Sequence, residues 1–551
     1  MKKKYALGIF AVCALTLAGC STGKTADSGE TTAKDKGADN EFNVVVQQEM
    51  PTADLSQATD QVSFNALNNV YEGIYRLDKD SKPQPAGAAE KAEVSKDGKT
   101  YKIKLRDNAK WSNGDDVTAD DYVYGWQRTI DPATASEYSY LFEPVENAAN
   151  IIKGDKDVDE LGIKAVNDHE LEIKLAKPTA YFDYLLAFPS FFPQHEETVK
   201  EFGKKYAATS DNSIYNGPFK LTEFDGAGSD TDWAYEKNDQ YWDKDTVKLD
   251  KINVSVVKES ATSLNLFQDG QADDVILTGE LAQQMANDSS FVKTPLASTN
   301  YLELNQRDED SPYHNVNLRK AISYAIDRDA LVKSILGDGS IASTGLVPQT
   351  LAANPATDED FAKEAGNSTE YDPKKAKEYW EKAKDELDVD SLEAELVSSD
   401  TDSTKKAIEY IQNTLEKNLD GFKVTLSPVP LQNRLDRGNK GDFDLILNGW
   451  IADYADPSSF LDLFEEGNSY NRGHYDNDDY NQAVEDARTT NANDVDKRWE
   501  NLLTAEKTIM DDQGVVPLYQ TTEAHMRSEN VKGVVAHTAG AQFDYKWTYI
   551  K

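Results

Sequence analysis

The chain has 551 residues and a formal net charge of −39, with 98 acidic against 59 basic side chains. That balance argues against nucleic-acid binding, which needs a basic surface, and against a polybasic membrane patch. Aromatics make up 10% of residues, too many for a disordered acidic chain; the sequence folds, and its length suits several domains.

The first segment poses a choice. Ala18, Gly23, Lys24 and Thr25 fit a loose phosphate-loop spacing. Such a loop needs a buried strand before it and a helix after it. Here Lys2, Lys3 and Lys4 precede an uncharged run from Tyr5 to Gly19, and 21–40 is polar without helical period. A basic start, a short apolar run and small residues make a secretory signal, too short to span a bilayer comfortably. Leu17-Ala18-Gly19-Cys20 resembles a bacterial lipobox, which implies cleavage before Cys20 and acylation of its thiol. Residues 1–19 are then a lipoprotein signal peptide and 20–40 a flexible lipid-anchored linker. Losing the leader lysines leaves the mature chain still more acidic, so the acyl chains do the anchoring. The other cysteine, Cys13, leaves with the signal, so the body is expected to hold neither a disulfide nor a thiolate metal cluster.

From Phe42 short β-branched or alternating runs predict strands at 42–46, 101–105, 171–175, 252–257, 422–426 and 443–447. Thr118 opens a helix carrying Val123, Trp126 and Ile130 at helical spacing. Residues 317–337 carry one apolar stripe and read as a single helix closed by Gly337. Asp372-Pro373 opens another, with Ala376, Tyr379, Trp380 and Ala383 inward. Strand 393–397, helix 402–418 and strand 422–426 make a βαβ unit, hence parallel sheet. The class is α/β in several lobes.

Chemistry is sparse. The six histidines stand in no zinc pattern, and no Gly-x-Ser-x-Gly elbow occurs. "DNDD" at 476–479 lacks calcium-loop spacing and reads as a solvated turn. Nothing calls for a metal, a cofactor or an enzyme. The informative stretch is "NGWIADYADPSSFL", 448–461, with Trp450, Tyr454, Asp453 and Asp456 after an apolar run. An acid there either caps the following helix, which suits Asp456 before Pro457, or awaits a cation, which suits Asp453.

That stretch resembles the signature of the peptide-binding proteins of ABC importers, the oligopeptide and dipeptide receptors. "VYEGIYRLD" (70–78), "LRDNAKWSNGDDVTADDYVYGWQRTIDPATASEYSY" (105–140), "NGPFKL" (216–221), "KNDQYWD" (237–243), "VNLRKAISYAIDRDALV" (316–332) and "VVPLYQ" (515–520) follow in family order. The resemblance covers 41–551. It implies a two-lobed, type II periplasmic-binding-protein-like clamp enclosing an extended peptide. Lobe I would comprise 41–64, 213–300 and 519–551, with an extra subdomain at 65–212; lobe II would be 301–518. The family's ammonium-binding aspartate falls on Asp453, flanked by Gly449, Trp450 and Ile451, of which Gly449 and Ile451 offer backbone groups. Tyr138 matches a groove tyrosine, though core packing would also explain it; Thr59, Asp60, Gln61 and Val62 match the lobe I segment that pairs with peptide, and Tyr519 joins the site. Members that hold short peptides carry basic groups where this chain has Leu447 and Thr404, leaving Arg434 or Arg437 as the nearby cation. The implied protein captures extracellular oligopeptides for ABC permease subunits, as a lipid-anchored monomer on a single-membrane cell. The rival readings are a receptor for signalling peptides and, from another class, an exported peptidase or chaperone.

Overall fold

A computed structural model describes residues 40–179 and 181–551; the lipobox and linker expectations lie outside them. Two main sheets organise the chain. The first has seven strands in the order Phe291–Pro295, Thr522–Arg527, Asp274–Leu277, Glu41–Val46, Lys251–Val256, Asp232–Lys237, Phe219–Thr222. The second has six: Ile341–Ala342, Val515–Gln520, Ser298–Leu304, Leu445–Ile451, Leu392–Ser399, Phe422–Val429. A separate four-stranded antiparallel sheet is built from Glu93–Val94, Thr100–Lys104, Glu170–Lys174 and Ile163–Asn167.

The chain changes between the main sheets at residues 296–297 and again at 521. These two connections are tied to each other. Leu296 N–H donates to the Thr521 carbonyl at 3.0 Å, and Gln520 Nε2 donates to the Leu296 carbonyl at 2.9 Å. The expected lobe limits at 300/301 and 518/519 therefore fall inside Ser298–Leu304 and Val515–Gln520, both members of the six-stranded sheet. The chain passes from one sheet to the other at 296–297 and at 521, through strand pairing that spacing alone does not reveal.

Local chemistry explains the elements. Thr118 and Asp121 form a capping box on helix Ala119–Ile130, and Asp121 also accepts the Trp111 indole N–H at 3.2 Å. Asp372 accepts the N–H groups of Lys374 and Lys375 and starts Pro373–Leu387. That helix buries Ala376, Trp380 and Ala383 but leaves Tyr379 half-exposed, stacked on Tyr324. It packs with Val316–Ala325 and Asp402–Asn418 over one core with Leu396, Phe422 and Leu445; cutting Trp380 to Ala there costs about 3–5 kcal/mol. The βαβ unit forms as expected, Leu392–Ser399 running parallel to Phe422–Val429.

Three local expectations are corrected. Residues 317–337 are not one helix: Val316–Ala325 ends at an extended Ile326, and Asp327 caps a new turn through the Ala330 N–H. The buried Arg328 guanidinium donates to the carbonyls of Ser323 and Ile326, which the break releases, and to those of Thr369 and Pro517 from distant segments. Gly337 does close the segment, at φ 62. The strand expected at 443–447 runs instead from Leu445 to Ile451, because Ser298–Leu304 lies opposite all of it. Exposed "DNDD" starts helix Asp478–Arg488, with Asn477 accepting the Tyr480 N–H.

Candidate peptide-binding cavity

Strand Leu445–Ile451 builds the site. On one side it pairs with Ser298–Leu304 along its full length. On the other it meets Leu392–Ser399 only at Leu396↔Leu445 and Val397↔Ile446. From Leu447 to Ile451 that edge has no strand partner among the described residues, and all five of those residues line a cavity of about 300 Å³. An unpaired strand edge in a cavity is a template for one more extended chain.

Nine of the ten expected peptide contacts line this cavity: Thr59, Asp60, Gln61, Val62, Tyr138, Gly449, Trp450, Ile451 and Tyr519. Their backbone roles differ. Gln61 and Val62 stand in the first turn of helix Gln61–Val70, capped by Asp60 through the Ser63 N–H, so that segment offers a helix N-terminus rather than a strand. The cavity also takes in Leu447 and Thr404. Of the two candidate cations, Arg434 lines it, whereas Arg437 is engaged by Glu395 at 2.8 Å and Asp442 at 3.0 Å.

Asp453 does not line that cavity. It lines a much smaller one next to it, with Asn68, Phe188, His537 and Gly540 among its neighbours. The link between the two is Tyr138, whose ring stands in the main cavity and whose hydroxyl donates to Asp453 Oδ1 at 3.2 Å. Tyr140 donates to Oδ2 at 3.4 Å. The ring of Tyr138 stacks on Trp450 at 6.0 Å between centroids, and Tyr470 meets Trp450 edge-on at 4.6 Å. Tyr138 is thus both core and cavity wall. Tyr140 and Tyr470 were not legible as site residues, although Tyr140 stands two positions after Tyr138 in the same quoted run.

The backbone fixes Asp453 firmly. Ala452 N–H donates to the Ala297 carbonyl at 2.8 Å, Gly540 N–H donates to the Ala452 carbonyl at 2.7 Å, and Asp453 N–H donates to Ser459 Oγ at 2.8 Å. The carboxyl is buried, and burial pushes its pKa up to about 8, with the two tyrosine hydroxyls offsetting part of that cost. Two other buried acids have cations, Asp544 in Arg76 and Asp274 in His525 and Arg527, whereas buried Glu506 forms no ion pair among the described residues and is likewise pushed up, to about 7. Asp456, three residues on, accepts the Ser458 N–H and pairs with both Arg498 nitrogens at 2.8 and 2.9 Å. Asp453 has no cationic partner among the described residues. Its ionised form has no compensating charge, which is why burial holds the pKa above the usual carboxylate range.

Direct contacts join the walls. Lys258 Nζ sits 2.9 Å from both Glu49 and Asp400, linking the two main sheets' regions. Glu137 accepts from Arg472 at 3.2 Å and from Asn439 at 2.6 Å, and Tyr181 stacks on Tyr454 at 4.2 Å.

The comparisons agree with this architecture. A model of the bacterial extracellular solute-binding proteins, family 5 (middle), matches residues 82–472. The dipeptide-binding protein of Lactococcus lactis subsp. cremoris is 36% identical over 515 residues, 91% of this chain and 93% of that protein. Among solved structures, Listeria monocytogenes OppA bound to peptide superposes with TM-score 0.90 at 43% identity, covering 93% of this chain and 99% of that one. The pheromone receptor PrgZ, described with its mode of peptide binding, superposes with TM-score 0.90 at 42% identity, covering 93% and 100%. The fold is the two-lobed type II clamp, and the chain belongs to the bacterial extracellular solute-binding proteins, family 5.

Proposed function

We propose that this protein captures extracellular oligopeptides and delivers them to the permease of an ABC importer. The observation that carries the reading is the unpaired edge of Leu447–Ile451 inside the cavity, with Asp453 just beyond its end. An extended peptide adds to that edge through its backbone, which is blind to sequence, while its side chains enter the surrounding space. Its N-terminal ammonium supplies the charge that Asp453 lacks, displacing or reorienting the Tyr138 wall. The peptide-bound Listeria relative supports the ligand class. In this reading lobe I is carried by the seven-stranded sheet, with 65–212 as its extra subdomain, and lobe II by the six-stranded sheet, the hinges being 296–297 and 521. The protein acts by binding and moving, with no bond made or broken.

Anchoring belongs to the same proposal. No described helix is long and apolar enough to cross a membrane, and the Cys20 lipobox would hold the body beside its permease through acyl chains.

The test is mass spectrometry of ligands released from the purified protein. A ladder of unrelated peptides supports nutrient capture. One dominant sequence supports the narrower reading as a signalling-peptide receptor, which the PrgZ likeness favours. Absence of any peptide, with none bound from a synthetic pool, overturns both.

A further inference from the structure

A relay of alternating charges in the seven-stranded sheet ends on the cavity. Asp274 opens strand Asp274–Leu277, and Glu523, His525 and Arg527 stand at every second position of its antiparallel neighbour Thr522–Arg527. Side chains alternate along a strand, so those three share one face. Arg527 Nε donates to Asp274 Oδ2. His525 Nδ1 donates to Asp274 Oδ1 at 2.8 Å, and its Nε2 donates to Glu523 Oε2 at 3.2 Å. Burial alone would lower the His525 pKa, but Asp274 and then Glu523 outweigh it and push it up to about 9. The ring is therefore an imidazolium at neutral pH, and the signs run plus, minus, plus, minus from Arg527 to Glu523.

Asp274 and His525 are buried, whereas the Glu523 side chain is 21% exposed and lines the cavity. Its Oε2 is taken by His525 and by Gln542 Nε2, while its Oε1 accepts no hydrogen bond among the described residues. Joining the two strands needs no acid at that place, because Asp274 already holds both His525 and Arg527. The surrounding wall suits a long side chain with a charged tip. Ile276, Leu277 and Ala524 line the same cavity, and the register sets Leu277 opposite Ala524. Apolar wall of this kind takes methylenes while the tip meets a polar group. The charge balance points the same way: the described lining holds three acids, Asp60, Asp338 and Glu523, against one cation, Arg434. Burial raises the pKa of Asp60, to about 6, and that of Asp338; Glu523 alone of the three has an imidazolium bonded to it.

We propose that Glu523 is a specificity residue of this cavity, receiving at Oε1 the cationic tip of a lysine or arginine side chain of the bound peptide. The assignment rests on the cavity being a peptide site, and it involves neither terminus of the peptide. It deepens that reading by giving one position of the ligand a preferred chemistry. His525 and Gln542 are positioning residues, which hold Oε2 and leave Oε1 to the cavity.

Stripped protein is incubated with an equimolar pool of alanine-based heptapeptides with free termini, each carrying lysine or Nε-acetyl-lysine at one internal position. Retained peptides are then counted by mass. At one position the wild type should retain lysine over acetyl-lysine by about 10- to 100-fold, the range for one hydrogen-bonded charge. Glu523→Gln should remove that preference at the same position. Glu523→Asp, which keeps the charge but draws it back by one methylene, should keep part of it. Both peptides compete in one sample, so partial unfolding of a variant does not alter the ratio. No preference at any position in the wild type, or one unchanged in Glu523→Gln, overturns the proposal. So does an equal loss of lysine and acetyl-lysine peptides in both variants, which would make Glu523 a structural member of the relay and nothing more. If the wild type retains neither kind of peptide, the peptide reading fails and this assignment falls with it.

Discussion

The hydroxyl of Tyr138 donates to Asp453 Oδ1 at 3.2 Å, and this one bond joins the wall of the main cavity to a buried acid without a cation. Asp453→Ala should weaken free-amine peptides by about 2–5 kcal/mol, or roughly 30- to several-thousand-fold. N-acetylated peptides should bind the wild type poorly and lose little more on mutation. Calorimetry with matched free and acetylated peptides completes a double-mutant cycle, and additive effects would show that Asp453 is not the ammonium's partner.

Proton release on binding should follow from the burial of Asp453. Burial raises the Asp453 pKa to about 8, so below that pH the empty site holds a proton. A peptide ammonium needs the ionised form, so binding should release close to one proton at pH 6.5. Affinity should rise about tenfold per pH unit towards pH 8, pass through a maximum there, and fall at higher pH as the peptide amine, pKa about 8, loses the proton the pair requires. Calorimetry in buffers of different ionisation enthalpy counts the proton; acetylated peptides should release none. Stability of the empty protein carries the matching sign. An acid with a raised folded pKa destabilises the fold as pH climbs from about 4 to about 8, and Asp453→Asn should flatten that slope.

Lys258 clasps Asp400 from across the cleft at 2.9 Å. Both side chains are half-buried, so their attraction is worth about 1 kcal/mol in the closed state. Lys258→Met should weaken every peptide by about fivefold through a smaller closed population. Small-angle scattering should show the unliganded variant more expanded than wild type, and saturating peptide should restore the same radius in both. Equal unliganded radii would remove the latch from the closing step.

Asp456 should behave unlike its neighbour Asp453. Its two bonds to Arg498 and the Ser458 N–H hold the turn that follows the binding strand. Asp456→Ala should cost about 1–3 kcal/mol of stability, read by denaturant titration, while peptide affinity stays within twofold.

Cys20→Ser should leave uncleaved precursor or released protein, with peptide binding by the body unchanged. Labelling of the variant with radioactive palmitate would contradict acylation at that thiol.

The sequence alone determined what depends on local chemistry and on ordered motifs: the capped helix starts at Thr118 and Asp372, the βαβ unit, the α/β class, and most of the residues that meet in the cavity. Those features rest on hydrogen bonds within a few residues and on apolar period, which composition at each position encodes directly. Tertiary structure decided the rest. The break at Ile326 depends on Arg328 finding carbonyls at Thr369 and Pro517, and the apolar stripe through 317–337 carries no trace of that. That Arg434 lines the cavity while Arg437 is engaged elsewhere depends on Glu395, which pairs with Arg437 from 42 residues away. The unpaired edge from Leu447 to Ile451 exists because Leu392–Ser399 parts from it after Ile446. Each is a long-range pairing, and a burial pattern tells which side chains leave water without telling which groups they meet.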